Sequence, residues 1–140
     1  MTISDINTNE LDYGGLRENI KQKYSDAKLL FLNGGYANCY YLCGYCVELA
    51  LKYKIAKYLK WSSFTPLREE KNLKCHDLNH LLRYTGLHNL TMTPDWNVVK
   101  DWSESIRYAN PSLISKQSAD EMLKSTKVVV RGIYKCLLKP

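Results

Sequence analysis

From Tyr36 to Lys60 the chain repeats apolar residues at helical spacing, with Tyr40, Cys43, Val47, Leu51, Ile55 and Tyr58 on one stripe. Tyr36, Tyr41, Leu42, Tyr45, Leu49 and Ala50 widen that stripe beyond what a surface helix needs. A helix apolar around most of its girth belongs in the middle of a bundle. Glu48 interrupts it between Val47 and Leu49, and a buried carboxylate must be paired, protonated or placed at a rim. Lys52, four residues on, is the local partner, and Arg107 from a second bundle-lining helix is the distant one. Gly44 costs about 1 kcal/mol against alanine in a helix interior. Close approach by a neighbouring helix or a second subunit would compensate.

The same periodicity predicts the other elements. Leu16, Ile20, Tyr24, Ala27 and Phe31 predict a first helix over 16–33, closed by Asn33-Gly34-Gly35 in a left-handed cap. The short link makes it the antiparallel neighbour of the central helix. An irregular stretch containing Pro66 follows. A short helix is expected from His76 or Asp77, carrying Leu78, Leu81 and Leu82 and stopping at Thr85-Gly86. Thr93-Pro94-Asp95 reads as a cap launching Trp96, Val99, Trp102 and Ile106 on one helix, broken at Asn110-Pro111. A last helix over 117–138 would turn Met122, Val129, Val130, Ile133 and Leu137 inward, despite its β-prone Val128-Val129-Val130 run. The expected fold is an all-α antiparallel up-and-down bundle of four to five helices. Residues 1–15 are expected to be a flexible segment and 16–140 a single domain.

Three pieces of sequence carry a resemblance. The run Tyr36 through Tyr41-Leu42-x-Gly44-Tyr45-x-Val47-Glu48-Leu49-Ala50-Leu51-Lys52 resembles the second helix of prokaryotic HEPN domains. His76-Asp77-Leu78 opening a short helix, and Trp102 followed by Arg107-Tyr108, fit in the same order. Together they span roughly residues 17–110. The resemblance implies a helical bundle, often a homodimer, linked to nucleotides or RNA. Many such domains pair with a separate small nucleotidyltransferase, and others are RNases of toxin and defence systems.

Composition narrows the classes. Apolar residues are 45% and charged residues 24% of the 140, ordinary for a globular chain. No charged start followed by an apolar core marks a secretory signal, and Glu48, Lys52, Lys54 and Lys57 interrupt the most apolar stretch. The expectation is therefore a cytoplasmic protein without a membrane span. Cys39, Cys43 and Cys46 fall within two turns of one helix, which suits neither disulfides nor zinc-knuckle spacing and reads as buried thiols. Net charge is +6. Seven basic residues lie over 52–74 and six from Lys116 onward, blocks that suit an anionic partner or a solvated face.

Candidate chemistry is sparse. Arg83 and His88 match, by spacing, the R-x4–6-H motif of the RNase branch of the HEPN family. In that chemistry a His moves protons and an Arg holds the phosphate, with no metal. The bland alternative is a capping Arg and a loop His. Moreover, the segment that usually bears the motif corresponds to Trp102–Tyr108, which has Arg107 but no His in the six residues after it. His76 and His80 are one turn apart without the Glu of a protease zinc motif, so no metal is expected; His76 is expected to close the helix start and His80 to face solvent. His76, Arg107 and Tyr108 are the candidate nucleotide- or phosphate-binding residues, Arg107 stacking on aromatic rings while holding an anion. The alternative for Arg107 is a structural clamp on Glu48. Six tyrosines between Tyr36 and Tyr58 would stack bases or, more simply, pack the core and a dimer face.

No phosphate-cradling glycine motif, nucleophile elbow or acidic metal-binding pair occurs, and no cofactor is expected. Three functions follow as expectations: a partner module for a separate nucleotidyltransferase, a metal-independent RNase using Arg83 and His88, or a dimerisation scaffold.

Overall fold

The computed structural model describes residues 2, 11–64, 73 and 75–138. Most of the expected flexible N-terminal segment and the irregular stretch around Pro66 lie outside them. The fold is all-α. Among the described residues it comprises α1 (Tyr13–Leu32), α2 (Tyr36–Tyr58), α3 (Leu78–Leu82), α4 (Pro94–Val99) and α5 (Lys116–Ile133). Three 3-10 helices, His88–Met92, Glu104–Tyr108 and Pro111–Leu113, fill the connections. The sole β pairing among the described residues is a bridge between Leu11 and Phe64.

Helix α2 runs through the middle, packed on α1 and α5, and α4 covers α5. Thirteen of its residues are buried, Glu48 and Lys52 among them, which only a central helix can do. Both long N-terminal helices end in the same hydrogen-bonded motif. In α1 the Gly35 amide donates to Leu30 O and the Gly34 amide to Phe31 O, with Gly34 at φ +83°. In α2 the Trp61 amide donates to Ala56 O and the Lys60 amide to Lys57 O, so Lys60 takes the left-handed position (φ +60°) where glycine is usual. α1 starts at Tyr13, three residues before the expected start, because Asp12 caps it by accepting from the Gly15 amide at 2.6 Å.

Two elements differ from expectation. The helix launched by Thr93-Pro94 stops at Val99 instead of running to Ile106. The chain tightens there, with the Trp102 amide donating to Val99 O, and extends at Ser103, whose hydroxyl accepts from the Ser105 amide to start a new 3-10 helix. α5 ends at Ile133, not Leu138, so Cys136 lies beyond the helix and is exposed. Leu137 still reaches the core, and Val128 is the outward member of the valine run. No helix among the described residues is long and apolar enough to cross a membrane.

The Tyr24 hydroxyl joins α1 to α5 by donating to Leu123 O at 3.1 Å. Burial, reinforced by the nearby Cys43, Cys46 and Cys39, pushes its pKa up to about 12. A phenol raised in the folded state stabilises fully below its unfolded pKa of about 10, and that contribution disappears as pH climbs through 12. The part of the urea midpoint owed to Tyr24 is therefore expected to stay constant below pH 10 and to fall between 10 and 12, with a shallower fall over that range for Tyr24→Phe. An identical fall in that variant would assign the loss to other groups.

Candidate functional site

The buried carboxylate of Glu48 organises the only extended charge network among the described residues. Glu48 is 2% exposed, and both its oxygens are used. Oε2 accepts from Lys52 Nζ at 3.3 Å, one turn along α2. Oε1 lies 2.6 Å from His76 Nδ1, just before α3. The other ring nitrogen, Nε2, is 3.0 Å from Glu104 Oε2, and that oxygen lies 3.8 Å from Arg107 Nη1. The Glu48 contact is a hydrogen bond whose donor depends on the ring tautomer, and the Glu104 oxygen stands at ion-pair distance on the other side of the ring.

Lys52 is thus the direct mate of Glu48. Arg107 is not, because Glu104 and His76 stand between them. His76 does not close the start of α3 either. Asp77 does that, accepting from the His80 amide at 3.0 Å, while the His80 ring meets Tyr84 edge-on instead of facing open solvent. Sequence reasoning missed Glu104. Its signal was Ser103-Glu104 as a cap followed by a first-turn acid, masked by the aromatic periodicity running through Trp102.

Aromatic rings back this network. Tyr45 packs edge-on to His76, Tyr41 and Trp102, at 5.9, 5.1 and 5.0 Å between centroids. Trp102 is 3% exposed and lies against Gly44, where an added Cβ would stand 2.0 Å from the indole. The predicted close approach at Gly44 is therefore a tryptophan from the segment after α4. The buried indole Nε1 has no hydrogen-bond partner among the described residues. Arg107 is exposed and lies over the Tyr108 ring at 4.8 Å; the Tyr41 and Tyr108 hydroxyls raise its pKa further above the ordinary guanidinium value. Tyr108 is 77% exposed.

In front of these groups is a cleft of about 370 Å³, lined by His76, Asp77, Asn79, Lys100, Trp102 and Glu104, with Cys75 and Ser103. Asn79 fixes its floor by donating to Lys100 O at 3.2 Å, tying α3 to the end of α4. Candidate residues His76 and Arg107 therefore meet at one place, through Glu104, with Tyr108 beside them.

Arg83 and His88 are placed differently. Arg83 caps the end of α3 and His88 opens the next 3-10 helix, both exposed, with Gly86 at φ +75° turning the chain between them. Neither side chain makes a hydrogen bond or ion pair among the described residues. Gly86 faces Tyr58, whose ring would stand 2.9 Å from an added Cβ.

The three α2 thiols are buried and free. Cys46 donates to Ile20 O at 3.6 Å, and burial pushes its thiol up to about 12. The hydrogen bond with Cys39, then burial, also raises Cys43. Cys43 and Cys46 therefore stay protonated and are poor ligands and nucleophiles, whereas the hydrogen bond with Cys43 lowers the Cys39 thiol against the upward push of burial. Among the described residues no group of three His, Cys, Asp or Glu could hold a metal ion. No protein-family model, curated protein or solved structure matches the chain.

Proposed function

We propose that this chain is a HEPN-like, nucleotide- or RNA-associated helical module that works beside a separate small nucleotidyltransferase and performs no chemistry alone. The observation that carries this reading is the contrast between two sets of polar residues. At the cleft, Glu48, His76, Glu104 and Arg107 are aligned by mutual contacts and backed by packed rings. Arg83 and His88 lack any such support, whereas a catalytic pair needs its geometry fixed by neighbours.

The cleft suits an anion better than a catalytic role. Lys100 lines it with Asp77 and Glu104, and Arg107 stands beside it over one face of Tyr108, so a phosphate can meet a cation while a base stacks on the open face of that exposed ring. Both nitrogens of His76 are already engaged by carboxylates, which leaves the ring no free nitrogen to act as a base. A homodimer belongs to the same reading. Exposed Leu29 and Leu32, beside the groove lined by Leu30 and Leu42, supply an apolar face for it.

The test combines two assays on purified protein. ATP is expected to quench tryptophan fluorescence, with Arg107→Ala weakening binding about tenfold. A mixed RNA pool in chelator is expected to remain intact. RNA cleavage that vanishes in folded His88→Ala would overturn the proposal and establish the RNase reading.

A further inference from the structure

We infer that a second face of the molecule, at the end of the bundle where α1 begins and α2 and α5 end, binds the phosphate backbone of a single-stranded RNA. This rests on the reading of the chain as an RNA-associated module and names a surface for it away from the residues of the cleft. Tyr13, Tyr53 and Tyr134 form a row of rings, edge-on to one another, with centroids 5.2 and 5.3 Å apart. Lys57 Nζ lies over one end of the row, 4.1 Å from the Tyr13 ring and 5.7 Å from Tyr53. Lys54 Nζ lies over the other end, 5.6 Å from Tyr134. The Arg17 charge acts on Tyr53 from α1, opposing the upward push of burial on that phenol.

Three features point to a phosphate strand. Lys54, Lys57 and Arg17 have no carboxylate partner among the described residues and gather three cations along one row of rings. The ring faces attract the ammonium groups and hold otherwise flexible lysines in place, which lowers the entropy lost on binding. The lysines are spread along a row instead of converging on a cavity, which suits successive phosphates better than a single anion. Lysine serves phosphate as a point charge, whereas carboxylates are better matched by the planar fork of arginine. With ammonium groups already on the rings, bases have little room to stack, and binding should be indifferent to sequence.

Anisotropy of labelled oligouridylate, titrated at several salt concentrations, tests this. The wild type is expected to bind, and Lys54→Gln/Lys57→Gln to lose about tenfold in affinity, with the log–log salt slope reduced by about 1.4 for two lost contacts. Lys57→Gln alone, at an exposed position, should lose part of the affinity and guards against a fold defect in the pair. No RNA binding by the wild type, or unchanged affinity and slope in the variants, would overturn the inference. Displacement of RNA by polyglutamate at equal charge would also overturn it and assign the face to an acidic protein. Arg107→Ala in the same titration separates the two sites. RNA binding lost there and kept in the lysine variants sinks this face alone, while the reverse, with no ATP binding, sinks the cleft alone.

Discussion

Gly44→Ala is expected to destabilise the protein by about 2–4 kcal/mol, although alanine is the better helix former by about 1 kcal/mol. The added methyl would stand 2.0–2.1 Å from Cε2, Cδ2 and Nε1 of Trp102. These are body atoms of a rigid ring, so the indole must move as a whole. It is held by Tyr45 and Tyr41 and by the turn that ends α4. Pushing it out exposes one of the largest buried side chains and deforms the wall of the cleft. A double-mutant cycle in urea isolates the cause. In a Trp102→Ala background the clash is gone, and Gly44→Ala should become stabilising by about 1 kcal/mol through helix propensity alone. If the substitution has the same sign in both backgrounds, close packing of α2 against Trp102 is not what position 44 is for.

The second large effect belongs to His76. His76→Ala removes one of two partners from a carboxylate that is almost fully buried, and is expected to cost about 2 kcal/mol. That is less than in a sealed core, because the vacated space opens onto the cleft and admits water to Oε1. Lys52 remains at 3.3 Å and keeps the loss from being larger. Glu104→Gln touches the same ring from the other side, yet Glu104 is half-buried, and its loss should cost less than about 1 kcal/mol. Chemical denaturation of both variants compares them directly. Equal costs would mean that the burial of Glu48 is not what makes the cluster expensive to break.

Much of the fold was legible because its strongest signals are local. The girth of apolar residues on α2, the Asn33-Gly34-Gly35 stop and the Thr93-Pro94 start each fix an element within a few residues. The helix expected through Ile106 was misread for a specific reason. Trp96, Val99 and Trp102 are spaced by three, which a helix ending in a 3-10 turn satisfies as well as a continuous one, so inward periodicity does not reveal the break at Lys100. The site was legible only as a problem. Glu48 announced that it needed partners, and the i,i+4 rule found Lys52. His76 lies 28 residues away from Glu48, and Glu104 reaches it from another segment. Pairings of that kind are set by packing, which spacing along the chain does not encode.

The row of Tyr13, Tyr53 and Tyr134 also bears on how the chain is connected. Tyr13 opens α1 and Tyr134 follows the last residue of α5, and both rings meet Tyr53. The bundle therefore begins and ends at one place, like a nearly closed loop of chain. The Gly34 turn between α1 and α2 is open, with no neighbour within 4 Å of where a Cβ would stand. Covalent order and spatial order are thus separable in this domain. A chain reconnected near Tyr13 and Tyr134 and cut at Gly34 would keep every helix-to-helix contact while moving both of its ends to the opposite side of the molecule.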